Sequence, residues 1–107
     1  MPDANPSSAV RDEWLVVRCQ LGEREAFDEL VARWHPALWR YAVKFTNDAE
    51  AAGDVVQDVW LRAVRGLSGL RDAARFRAWL FGIARRVLMD RLRVRYAEPS
   101  AEPIDGL

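Results

Sequence analysis

Arginines and one aromatic ring carry the chemistry that this sequence offers. From Phe76 to Arg95 the chain reads FRAWLFGIARRVLMDRLRVR, with Arg77, Arg85, Arg86, Arg91, Arg93 and Arg95 among twenty residues. Guanidinium groups neutralise phosphates, and a flat ring stacks on a base. Phe81 stands between Arg77 and Arg85 at four-residue steps, off the apolar stripe of its own segment. That combination suits a nucleic-acid surface. It suits a solvated arginine face with one stray aromatic equally well, and the segment alone does not choose between them.

Other chemistries find little support. No Ser/His/Asp or Cys/His set stands at a readable spacing, and no Gly-rich phosphate loop is present. His35 is the only histidine, with no cysteine near it, so no metal site is expected. Asp54 and Asp58 form a carboxylate pair one helical turn apart. Beside Gln57 and Arg62 they read as contact or solubility residues rather than as a general acid and base. The chain is not expected to be an enzyme, and no catalytic residue or cofactor is assigned. The single Cys19 reads as a structural thiol.

Helices must position these groups. In the last segment Phe76, Trp79, Leu80, Ile83, Ala84, Val87, Leu88 and Leu92 recur at three- and four-residue steps, the signature of one buried helical face. Arg11–Leu21 reads as a first, shorter helix, with Trp14, Val17 and Leu21 on one side, Leu15 beside them and Gly22 as its stop. Glu23–Thr46 holds a helical period across Pro36, where a kink or break near Trp34–His35 is expected. Asn47 is the expected cap of a third helix ending near Gly66, with Ala52, Val56, Val59, Trp60, Ala63, Val64 and Leu67 inward. A second face of that helix carries Asp54, Gln57, Asp58, Leu61, Arg62 and Arg65. Gly66–Asp72 reads as a loop, and Asp72 or Ala73 opens the last helix.

No strand period survives outside these stripes. The expected fold is all-α: a compact bundle of three long helices and one shorter N-terminal helix around Phe27, Trp34, Phe45, Val56, Trp60, Trp79, Ile83 and Val87. Residues 1–10 read as a flexible lead, 11–95 as the domain and 96–107 as a linker or tail. No apolar run is long enough to span a membrane, and the N-terminus lacks the features of a secretory signal.

Net charge is zero, but it is segregated. Residues 1–58 hold 6 basic and 11 acidic side chains, a balance of −5. Residues 59–95 hold 10 basic and 2 acidic, a balance of +8, and residues 96–107 hold 3 acidic and none basic. The basic stretch is local enough to attract a polyanion.

Four pieces, in order, resemble region 2 of the extracytoplasmic-function (ECF) sigma factors of bacterial RNA polymerase. They are LVVRCQLGEREAFDEL at Leu15–Leu30, the stretch Leu38–Asp48 ending in a Thr-x-Asp turn, AEAAGDVVQDVWLRAV at Ala49–Val64, and Phe76–Arg95. The resemblance implies a polymerase-docking and promoter-melting domain in the bacterial cytoplasm. Asp54, Gln57 and Asp58 would face the clamp coiled coil of the largest polymerase subunit, with Leu61, Arg62 and Arg65 nearby. The loop Ser68–Arg75 and the last helix would hold the non-template strand of the minus-ten element, a base being flipped into a pocket. Ser68, Arg71, Arg75, Arg77, Arg85, Arg86 and Arg93 would serve that strand, and Phe81 would stack. An anti-sigma factor is a further partner that the resemblance allows, and no membrane is involved.

Three positions depart from the family pattern. Arg86 stands where Asn is common, and Arg only donates hydrogen bonds whereas Asn also accepts them. Asp58 replaces a longer Glu, and Gly53 stands where an acid is usual. The family also adds a second domain that reads the minus-35 element; this stretch reads as a single-domain fragment or a short member. The rival expectation is a helical protein-interaction module that binds a regulator without contacting DNA.

Overall fold

The computed structural model describes residues 6–97, which form four helices. These are α1 (Pro6–Gln20), α2 (Arg24–Thr46), α3 (Ala49–Gly66) and α4 (Phe76–Ala97). No strand occurs among the described residues. α2 packs on α3 and on α1, and α3 packs on α4. α1 also reaches the segment between α3 and α4. The expected all-α bundle is therefore what the chain forms.

Local chemistry accounts for the helix ends. Gly22 takes φ +93°, a left-handed turn that a Cβ would strain, and this closes α1. Asn47 does the same for α2 at φ 54°, its N–H bonding Val43 O. Asn47 is thus the stop of α2 rather than the cap of α3. Asp48 caps α3, its carboxylate accepting from the Glu50 N–H at 3.0 Å.

Three boundaries differ from expectation. Pro6–Val10, expected within a flexible lead, are the start of α1. Proline is favoured at a first helical position, and Arg33 binds both the carbonyl and the hydroxyl of Ser8. α2 continues through Pro36 without a break, since that residue lies on its exposed side where the missing bond can be met by water. α4 runs two residues past Arg95. The remaining lead, Met1–Asn5, and the tail from Glu98 lie outside the described residues.

The core joins all four helices. Leu15, Val16, Leu30, Leu38, Val55, Val59, Phe76, Leu80 and Val87 are fully buried, and each such side chain contributes about 1.5–3 kcal/mol. Trp34, Val56, Ile83 and Val87 are buried as expected, while Phe27, Trp60 and Trp79 pack half-buried against the core. Phe45 is a correction: it is exposed at the last turn of α2, where it lines an open groove instead of the core. α1 is a second correction. It buries Asp12, Leu15 and Val16 and exposes Trp14, Val17 and Leu21. Asp12 tolerates burial because Arg33 of α2 meets its carboxylate at 2.7 Å. Two further stripe residues, Val64 and Leu92, are also exposed.

Candidate nucleic-acid interface and docking face

The segment between α3 and α4 is short and tied at several points. Leu67–Gly69 and Ala73–Arg75 are single 3-10 turns, and Asp72 caps the second by accepting from the Ala74 N–H at 3.1 Å. Leu67 is buried in the core. From α1, Gln20 Nε2 donates to Leu67 O at 3.0 Å and to Leu70 O at 2.9 Å. Ser68, Arg71 and Arg75 are left exposed on this braced frame. No local pattern around Gln20 announces this role; only the packing of α1 against the loop brings it there.

α4 starts where the second turn ends. Its buried side carries Phe76, Leu80, Ile83, Ala84, Val87 and Leu88, so Arg77, Arg85, Arg86 and Arg93 are exposed. Their environments differ. Arg77 stacks over Trp34 at 6.0 Å from the ring centre. Arg93 pairs with Asp90 at 3.0 Å. Arg85 and Arg86, together with Arg71 and Arg75 of the loop, have no carboxylate partner among the described residues. Cations without a local anion are the ones that gain most from a phosphate.

Phe81, expected to stack on a base, faces inward. It is half-buried, edge-on to Trp34 at 6.0 Å and to Tyr41 at 5.4 Å. α2 lies along that flank of α4 and supplies both rings, so the aromatic expected to stack on a base meets two protein rings edge-on.

The solvent side of α3 gathers most of the second set. Asp54, Gln57, Leu61 and Arg65 are exposed at three- and four-residue steps, opposite the buried Ala52, Val55, Val56, Val59 and Ala63. Leu61, an apolar residue 48% exposed, sits among polar neighbours. Asp58 and Arg62 lean toward α4. Arg62 meets Asp58 at 3.3 Å and Asp90 at 3.2 Å. Beside this face lies a groove of about 720 Å³ that includes Phe27, Gln57, Trp60 and Leu61. The Trp60 indole N–H there is buried without an acceptor.

Gly53, on the same helix, is no steric necessity. A Cβ there would meet Trp39 at 3.8 Å, an ordinary contact. Cys19 borders the groove, and burial raises its thiol pKa above 9.0, with Arg18 partly opposing and Asp28 and Glu23 adding to the rise. No cluster of metal-ligating side chains occurs among the described residues, and none of their helices is long and apolar enough to cross a membrane.

Comparison with known proteins places this geometry in context. A family model described as Sigma-70 region 2 matches residues 30–97. The RNA polymerase sigma-H factor of Pseudomonas aeruginosa is 35% identical over 89 residues, 83% of this chain and 46% of that protein. The ECF RNA polymerase sigma factor SigL of Mycobacterium tuberculosis is 45% identical over 71 residues, 65% of this chain and 38% of the relative. The ECF RNA polymerase sigma-E factor of Escherichia coli is 28% identical over 101 residues, 94% of this chain and 52% of the relative. The chain thus spans about half, or less, of the curated relatives it matches. No solved structure matches it.

Proposed function

The chain belongs to the Sigma-70 region 2 family, as the region 2 domain of an ECF sigma factor, and on that premise we propose that it docks on RNA polymerase and holds the non-template strand of the minus-ten element. The observation that carries the reading is the loop Ser68–Arg75. It is fixed by Gln20 and Asp72 and edged by Arg71 and Arg75, and Arg85 and Arg86 follow on α4 without carboxylate partners among the described residues. Flipping a base from a duplex costs a few kcal/mol, and a rigid frame with waiting cations offsets that cost without reorganising.

Ser68 and the adjoining backbone supply the base-choosing surface. Arg71, Arg75, Arg77, Arg85, Arg86 and Arg93 supply phosphate contacts. Arg86, a donor where relatives commonly carry Asn, shifts the balance of that position from base edge to backbone. Asp54, Gln57 and Leu61 form the centre of the clamp contact, with Asp58 and Arg65 at its edge. The Asp54 carboxylate and Gln57 amide steer a basic coiled coil into register, with Asp58 adding charge at the edge, while Leu61 adds the apolar contact. The site of action is the bacterial cytoplasm, and an anti-sigma factor that covers the α3 face would hold the domain inactive.

The test is fluorescence anisotropy of a labelled non-template minus-ten oligonucleotide at two salt concentrations. Wild type binds at low salt, binding weakens as salt rises, and Arg86→Ala shortens that salt dependence by about 0.7 in the log–log slope, one phosphate on a single strand. Binding that is absent at low salt, or indifferent to salt, sinks the DNA reading. Titration with the isolated clamp coiled coil tests the other half: Asp54→Arg and Gln57→Ala must weaken it.

A second reading, a helical interaction module, draws on one observation. Val10, Trp14, Val17 and Leu21 form an exposed apolar stripe along α1. Wild-type binding to a protein regulator with no affinity for any oligonucleotide would favour it.

A further inference from the structure

Four aromatic rings run in series along the seam between α2 and α4. Trp34 meets Phe81 at 6.0 Å, Phe81 meets Tyr41 at 5.4 Å, and Tyr41 meets Phe45 at 4.9 Å, all edge-on. Packing accounts for the first three, which are buried or half-buried. It stops short of the fourth. Phe45 is 60% exposed, so it forgoes much of the stabilisation that a buried ring would give.

Phe45 opens onto a groove of about 810 Å³ between the end of α2, the start of α3 and the second half of α4. Tyr41, Leu88, Met89 and Leu92 form its apolar wall, and Arg85 and Arg91 stand on its margin. Three carboxylates also border it, and each is already engaged. Asp48 caps α3. Asp58 faces Arg62, and Asp90 holds both Arg62 and Arg93. Arg85 and Arg91 have no such partner among the described residues. With Asp58 and Asp90 paired to Arg62 and Arg93, the two arginines outweigh the lone Asp48 carboxylate, and the exposed ring stands within the groove.

We propose that Phe45, with Arg85 and Arg91, forms a stacking site for one unpaired base of a single nucleic-acid strand, whose phosphates lie on the two arginines. The assignment rests on the DNA reading above. Arg85 belongs to both surfaces, so the new site continues the arginine face of α4 toward its C-terminal half. A nucleotide needs an apolar plane with cations on either side, because its base is flat and weakly hydrated while its phosphates are anionic. The groove offers that pairing. Phe81 keeps an indirect part: it braces Tyr41, and Tyr41 fixes the tilt of Phe45 at 61° between the two rings.

The experiment uses the whole chain and labelled non-template oligonucleotides of the minus-ten element, extended stepwise at either end. Base–aromatic stacking measured by alanine substitution corresponds to a loss of about fivefold or more in affinity. Phe45→Ala therefore weakens the extended oligonucleotide about fivefold to tenfold and leaves the shortest one unchanged. Phe45→Tyr, which keeps the ring, restores binding to within about twofold. Replacing the bases one at a time by abasic sites finds a single position where Phe45→Ala has no further effect. Arg91→Ala lowers the salt dependence of the extended oligonucleotide alone.

Three results would overturn the proposal. If Phe45→Ala binds every oligonucleotide like wild type while Arg86→Ala is weakened, the stacking site is wrong and the DNA reading stands. If wild type binds no oligonucleotide at low salt, both fall together. If Phe45→Ala keeps its oligonucleotide affinity but loses the clamp coiled coil, the groove receives a protein.

Discussion

Arg62 Nη1 lies 3.2 Å from Asp90 Oδ2, and this contact joins α3 to α4. The pair extends at both ends, to Asp58 at 3.3 Å and to Arg93 at 3.0 Å. Arg62 is accordingly turned toward α4, away from the exposed Asp54, Gln57 and Leu61. Both side chains are more than a third exposed, so solvent screens the interaction. Arg62→Ala is expected to lower stability by about 0.5–1 kcal/mol. A double-mutant cycle with Asp90→Asn, followed by urea unfolding, measures the coupling; strictly additive losses would show the two residues to be independent.

Gln20 governs the loop rather than the fold. Its side chain meets two loop carbonyls and is itself exposed. Gln20→Ala removes two hydrogen bonds worth about 1 kcal/mol each at most, and water replaces part of that. Hydrogen exchange at loop amides after Leu67 should quicken while exchange in α2 and α3 stays unchanged. Oligonucleotide affinity should fall by a few-fold through looser positioning.

Asp12 is the one charged side chain buried in the core among the described residues, 7% exposed, and Arg33 is its partner. Removing one member of such a pair strands the other. Asp12→Ala is expected to destabilise by about 2–4 kcal/mol, somewhat below the cost at a fully buried pair because Arg33 keeps some water. Thermal melting checks this. Paired replacement with apolar residues of similar volume at both positions should cost much less.

The Cys19 thiol is held above its ordinary pKa of 9.0, first by burial. The folded state thus favours the neutral thiol. Its contribution to stability is complete below the unfolded value and is lost as pH rises through the folded value. Iodoacetamide at about pH 8 should alkylate the native chain several-fold more slowly than the urea-unfolded chain, since the thiolate is the reactive form. Equal rates would contradict the assignment.

The helices and their order could be read from sequence because each buries one stripe, and stripes at 3.6-residue period are visible residue by residue. On α4, six of the eight stripe residues are buried. What the period cannot encode is the neighbour on a helix flank. Phe81 sits at the border of its stripe, and only the course of α2, bringing Trp34 and Tyr41 alongside, decides that it turns inward. α1 presents two arcs of comparable apolarity. The choice fell to the one containing Asp12, because Arg33 waited on α2. The exposed arginines were legible; Gln20 was not, since its acceptors lie 47 and 50 residues away.

That separation has a consequence in time. A chain leaves the ribosome N-terminus first, and folding proceeds as it emerges. The amide that fixes the loop is therefore made well before the carbonyls it will bind. Asp12 and Arg33, which hold α1 to α2, both precede α3 in the chain. The loop next to α4 is held by a residue made long before it. The segment proposed to choose a base therefore cannot take its final shape until α1 and the stretch after α3 have come together.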